Sequence, residues 1–193
     1  MITGLGLGIR WLIVSSSIEN AKTGHCLAQV VTSSHDPVIV SCGSAKAEFK
    51  VTGRVSQPEK CLPIPGTTSV YDTGEDYLCL TDPDSKTDPQ HAVNGVQAGD
   101  CVAVNDKANL EKEAVITDCA ASGTYPVLAV LKDVSVSSRD QGAYDHYAEL
   151  CMKAGTTEPD TVYQFHMRRL PSNGGRYSSS IEADIALCLG PQN

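Results

Sequence analysis

The sequence predicts a β-rich α+β fold made of two homologous small disulfide-stapled domains in tandem, the second with an added helix. Three observations carry this expectation. The chain of 193 residues holds eight cysteines, an even number with no CxxC pair, which reads as a set of bridges. The cysteines fall into two sets of four whose neighbours match in order. The apolar residues lie mostly in short runs between turn residues, the spacing of strands.

Composition bounds the rest. Hydrophobic residues make up 41% and charged residues 20%, a globular balance. The formal net charge of −8 argues against a nucleic-acid binder, which needs a basic face to neutralise phosphates. Two units of this length bury little core each, so covalent staples matter to both. No N-x-[ST] sequon occurs.

Residues 1–21 form an N-terminal apolar segment, MITGLGLGIRWLIV followed by a polar turn at Ser15-Ser16-Ser17. A membrane span needs about 20 apolar residues, and this run is shorter. Three readings stay open: the outer end of a membrane anchor, an ordered part of the fold, or a degraded signal peptide. Gly4 and Gly8 form a GxxxG, a weak signal in so short a stretch. The run of Gly4, Gly6 and Gly8 lacks the spacing of a dinucleotide fingerprint.

The first repeat domain covers 22–80 and holds Cys26, Cys42, Cys61 and Cys79. The second covers 98–193 and holds Cys101, Cys119, Cys151 and Cys188. Gly24-His25-Cys26 answers Gly99-Asp100-Cys101, and Val38–Cys42 answers Val115–Cys119. Phe49-Lys50-Val51 answers Tyr125-Pro126-Val127, Cys61-Leu62 answers Cys151-Met152, and Leu78-Cys79-Leu80 answers Leu187-Cys188-Leu189. Matched landmarks in one order predict a tandem duplication. Residues 81–97 form the linker, polar and turn-rich around Asp82-Pro83-Asp84 and Asp88-Pro89. Its Asp82-x-Asp84-x-Lys86 start has Thr87 where a calcium loop needs Gly and Val93 where it needs Glu, so it reads as solvated chain.

Within the first unit the patterns predict strands at Leu27–Thr32, Val38–Cys42, Ala47–Val51 and Tyr77–Leu80. The second unit predicts Val102–Asn105, Ala114–Cys119, Tyr125–Val134 and Asp184–Leu189, and adds Val162–Arg168. It also adds a helix: Ser138 and Gln141 fit a capping box, Tyr144, Tyr147, Ala148 and Cys151 recur on one face, and Gly155 closes it. The first unit has room there for one turn, opened by Pro58.

Each unit's four cysteines allow three connectivities. The near-constant interval from first to second cysteine favours a bridge across a hairpin, Cys26 with Cys42 and Cys101 with Cys119. Cys61–Cys79 and Cys151–Cys188 then remain.

The Gly-[His/Asp]-Cys openings, the second Cys with its small-residue turn, the aromatic-x-Val run, the later lone Cys and the final Leu-Cys-Leu resemble actinobacterial extracytoplasmic domains. These are the LppU-type lipoprotein and septum-formation-like domains. The resemblance covers 22–80 and 97–189. It implies small cysteine-bearing modules placed outside a membrane anchor, some beside receptor-type kinases, and brings no catalytic residues. His25 stands where Asp is usual in that pattern. No lipobox Cys stands ahead of the first unit, so the resemblance does not extend to a lipid anchor.

No catalytic, cofactor-binding or metal residue is assigned. His25, His35, His91, His146 and His166 include no HExxH and no i, i+4 pair. Asp145-His146 lacks the GxSxG elbow of a hydrolytic relay. Arg168, Arg169 and Arg176 form the basic cluster, read as a strand end beside a turn. The expected function is a non-enzymatic extracytoplasmic binding or protein-interaction module of a cell-envelope protein, membrane-anchored through its N-terminus. Its partner is an unidentified protein or cell-envelope ligand, met chiefly by the loop Leu170–Ser180 and the hairpin turns. The alternatives are a secreted or periplasmic enzyme, thiol-redox or hydrolytic, and a structural spacer.

Overall fold

The structure, a computed structural model, describes residues 17–30, 37–85, 88–106, 112–134, 143–170 and 183–193. Strands β1 (Cys26–Ala28), β2 (Val38–Val40), β3 (Phe49–Val55), β4 (Ser69–Asp72) and β5 (Tyr77–Thr81) come from the first half. Strands β6 (Cys101–Asp106), β7 (Lys112–Thr117), β8 (Thr124–Val134), β9 (Thr161–Phe165), β10 (Arg168–Leu170) and β11 (Ala183–Leu189) come from the second, with the helix α1 (Ala143–Lys153). They build two sheets, in the orders β10-β4-β5-β3-β1-β2 and β7-β6-β8-β11-β9.

Setting β10 aside, the two orders are the same. β2-β1-β3-β5-β4 maps onto β7-β6-β8-β11-β9, and every pairing in both is antiparallel. Register agrees as well. Cys26 lies opposite Val40 and Lys50, and Cys101 opposite Thr117 and Pro126. Both central pairings carry a bulge at one place, where Thr52 is skipped in the first sheet and Leu128 in the second. A one-residue slip would turn every side chain to the other face, so matched bulges keep matched cores.

The turn ahead of each first strand explains the Gly-[His/Asp]-Cys landmark. Gly24 and Gly99 hold φ of +91° and +95°, conformations that disfavour a side chain. Their N–H groups donate to the carbonyls of Val51 and Val127. The next residue caps the turn: Asp100 Oδ2 accepts from Gln97 N–H at 2.8 Å, and His25 Nδ1 accepts from Lys22 N–H at 3.2 Å. A histidine thus does the work of the aspartate with a ring nitrogen.

The bridges join Cys26 to Cys42, Cys61 to Cys79, Cys101 to Cys119 and Cys151 to Cys188. The hairpin cysteines do not lie directly opposite each other. β2 ends at Val40 and the chain curls back, bringing the Cys42 Cα to 5.0 Å from that of Cys26. Closing each loop restricts the unfolded chain and contributes about 3 kcal/mol in the chain-entropy account.

Several expected boundaries move. The matched elements begin at Ser17 and Ala92, each bridging one strand, Ser17 to Val38 and Ala92 to Val115. Ile18 and Ala21 of the N-terminal segment are buried, as are Val93 and Val96 of the expected linker. Residues 92–97 of the expected linker thus pair and pack with the second sheet. The expected strand Leu27–Thr32 stops at Ala28, and Gln29 turns with φ 66°. β4 went unread because Ser69-Val70-Tyr71-Asp72 does not alternate; it is the counterpart of β9, which is thus no addition. The expected strand Val162–Arg168 breaks at His166-Met167, where Asp184 Oδ2 accepts the Met167 N–H at 2.6 Å and the chain leaves its own sheet.

β10 then pairs parallel with β4, so a strand of the second half edges the first sheet. The cores interlock accordingly. The first gathers Ile18, Ala21, Leu27, Val51, Tyr71, Leu78 and Leu80, and the second gathers their counterparts Val93, Val96, Val102, Val127, Tyr163, Leu187 and Leu189. Each core also takes one leucine from the other half: Leu170 enters the first and Leu62 the second. Helix α1 adds a third cluster in which Tyr147 packs with Val134 and Ala186. Its end is a Schellman turn, with Thr156 N–H on the Cys151 carbonyl and Gly155 at φ 88°. The expected capping residues Ser138 and Gln141 lie outside the described residues.

A buried polar clamp fixes the seam. Asn94 accepts from Gly66 N–H at 3.0 Å and donates to the carbonyls of Leu62 at 2.9 Å and Ile64 at 2.6 Å. Asn94→Ala removes the partner of the Gly66 N–H and of the Leu62 carbonyl, while the Ile64 carbonyl keeps the Thr67 N–H, at about 1–3 kcal/mol for an orphaned buried group. Denaturant melts of N94A are expected to keep one transition with a lower midpoint. Two resolved transitions in the native protein would contradict the interlock.

Candidate functional site

Chemistry-bearing side chains are scattered over the described surface. His25 caps its turn. His91 lies on a short 3-10 turn, its Nδ1 3.9 Å from Asp88 Oδ2. His146 is exposed on α1, edge-on to the Tyr147 ring. His166 is exposed at the break between β9 and β10. His35 and Arg176 lie outside the described residues, as does the loop beyond Leu170 that was expected to meet a ligand. Among the described residues no group of three His, Cys, Asp or Glu could hold a metal ion. Asp82 Oδ1 accepts from Asp84 N–H, an ordinary turn, and Lys86 and Thr87 are not described.

The basic pair is used inside the fold. Arg168 Nε donates to Ser69 Oγ at 3.2 Å, and its guanidinium sits 5.6 Å from the centre of the Phe49 ring. Arg169 pairs with Asp184 at 3.4 Å. Both contacts tie β10 down, one to each half.

Sequence reasoning missed an ion pair that closes the first unit. Arg54 on β3 pairs with Asp76 and also donates to the carbonyls of Glu19 and Ala21. Asp76 in turn takes a 2.7 Å hydrogen bond from Thr73 Oγ1. The Thr73-Gly74-Glu75-Asp76 turn was the available signal, since it places a carboxylate at the hairpin end. Burial alone raises the Asp76 carboxyl, but the bonds from Arg54 and Thr73 and the Arg54 charge outweigh it. The group therefore ionises below the ordinary aspartate range.

Two exposed turns remain, at matched places. In the first, Ser44 and Ala47 donate their N–H groups to the carbonyls of Ser41 and Ser44. In the second, Ala121 N–H reaches the Asp118 carbonyl and Ala120 N–H its side chain. Asn193 braces that second turn: Gly123 N–H donates to the Asn193 carbonyl, and Asn193 Nδ2 to the Cys119 carbonyl. Cys42 and Cys119 anchor these turns to β1 and β6. Ordering is thus built in before any partner arrives.

No family model, curated protein or solved structure matches the chain. No described helix is long and apolar enough to cross a membrane.

The lowered Asp76 pKa fixes a sign. Its stabilisation is complete above the ordinary aspartate range and is lost as pH falls through the lower folded value. Melting temperature is expected to fall more steeply below about pH 4 in the native protein than in Asp76→Asn. Parallel pH profiles would remove the ion pair from the account.

Proposed function

We propose that the protein is a non-enzymatic binding or interaction module of the cell envelope, made by tandem duplication of one four-cysteine unit. The identical strand orders and matched bulges support the duplication. Four bridges belong to an oxidising, extracytoplasmic environment. The resemblance to LppU-type and septum-formation-like domains points the same way, and membrane anchoring through residues 1–16 is part of the reading.

The observation that carries it is the exposure of the two hydrogen-bonded, bridge-anchored turns 41–47 and 118–123. They stand on a scaffold whose Arg54, Arg168, Arg169, Asn94 and His25 are already engaged in holding the fold. Exposed groups on the turns include Lys46, Asp118 and Ser122. Pinned polar turns lower the ordering cost of association and suit recognition of a surface.

The test incubates the purified protein with isolated peptidoglycan and with vesicles of anionic phospholipid, and separately with chromogenic ester and peptide substrates. Saturable co-sedimentation is expected with one envelope component, which is recovered chemically unchanged. Lys46→Glu together with Ser122→Arg should abolish binding without lowering the melting temperature. Turnover of any substrate would overturn the reading in favour of an enzyme, and absence of binding to every component would favour a spacer.

A further inference from the structure

The four bridges divide by exposure. Cys61–Cys79 and Cys151–Cys188 have both residues fully buried. The former lies in a cluster with Val70 and Met167, against which Phe165 packs, so the second half seals a bridge of the first. In each hairpin bridge one residue is buried, Cys26 or Cys101, and the other, Cys42 or Cys119, is exposed. The exposed residues occupy one place in the repeat, directly after the Ser41 and Asp118 carbonyls that accept the turn N–H groups.

Thiol–disulfide exchange needs a thiolate to reach one sulfur of a bridge. We propose that Cys26–Cys42 and Cys101–Cys119 are exchange sites for an extracytoplasmic dithiol, and that the other two bridges are permanent. A thiolate of the dithiol attacks Cys42 Sγ, the bridge breaks, and Cys26 leaves as a thiolate that takes up a proton. The second thiol of the reagent then closes on the mixed disulfide and releases Cys42, so the dithiol is oxidised by two electrons and the bridge is reduced. The same steps run at Cys119 with Cys101 as leaving group.

The two sites differ in charge and in consequence. Asp118 stands beside Cys119 where Ser41 stands beside Cys42, and its carboxylate repels an incoming thiolate. Cys26–Cys42 therefore reacts first, and added salt narrows the gap. β2 has three residues and β7 has six, so reduction loosens the 37–47 hairpin while β7 keeps its ladder.

Graded dithiothreitol under native conditions, acid quench, alkylation and peptide mapping test this directly. Cys26 and Cys42 should be alkylated first and Cys101 with Cys119 next. The four cysteines of the two fully buried bridges, Cys61, Cys79, Cys151 and Cys188, should react slower by a factor on the order of 10³ or more, since they wait for global opening. Hydrogen exchange in 37–47 should rise in the partly reduced protein while β5 and β11 stay protected. Simultaneous reduction of all four bridges, buried bridges reacting first, or no reduction short of denaturation would each overturn the proposal. Cys26→Ser with Cys42→Ser gives an independent reading: it should fold with three bridges and show the loosened hairpin without reductant.

Discussion

Each half of this protein lacks a piece of its own core, and the other half supplies it. Leu170 fills the first core and Leu62 the second. Burying one such side chain contributes about 1.5–3 kcal/mol, a sizeable share of the roughly 5–15 kcal/mol that separates folded from unfolded domains. The exchange sets the route of the chain. β9 must end early so that β10 can cross to β4, and the break at His166-Met167 is the point where Asp184 takes the Met167 N–H. Residues 92–97 must also stay close to the first half, which Asn94 enforces by gripping the loop 62–66.

Bridges and interlock divide the labour. Units of about sixty to a hundred residues bury small cores, and each bridge narrows the unfolded ensemble of its own unit. None joins the halves. Covalent staples therefore set topology within a unit, and packing sets the relation between units. This leaves the hairpin turns at the periphery, fixed by bridges but outside the shared core. Loops of that kind are suited to the binding role proposed above, because the scaffold carries the cost of holding them still.

Much of the internal order was legible because cysteines and glycines leave fixed marks. The bridge pairs followed from intervals between Cys26 and Cys42 and between Cys101 and Cys119. The helix followed from the recurrence of Tyr144, Tyr147, Ala148 and Cys151. The interlock was not legible, since Leu62 and Leu170 look like any leucine and their partners lie in the other half. β4 was missed because a four-residue strand with polar ends has no period to read. Arg54 and Asp76 lie 22 residues apart, and only folding the β3–β5 pair brings them together. The sequence placed the candidate surface chiefly on the loop Leu170–Ser180, which from residue 171 lies outside the described residues, and on the hairpin turns; which turn groups stay uncommitted depends on hydrogen bonds that no spacing reveals.

Native-state hydrogen exchange on Leu170→Ala probes the interlock most directly. If each core is completed by the other half, removing this one side chain lowers the opening free energy of both sheets together. The amides of β5 and of β11 should lose equal protection, by about 2–5 kcal/mol, the usual range for a buried leucine cut to alanine. Loss confined to β1, β3 and β5, with β6, β8 and β11 unchanged, would contradict the account and make the halves independent domains.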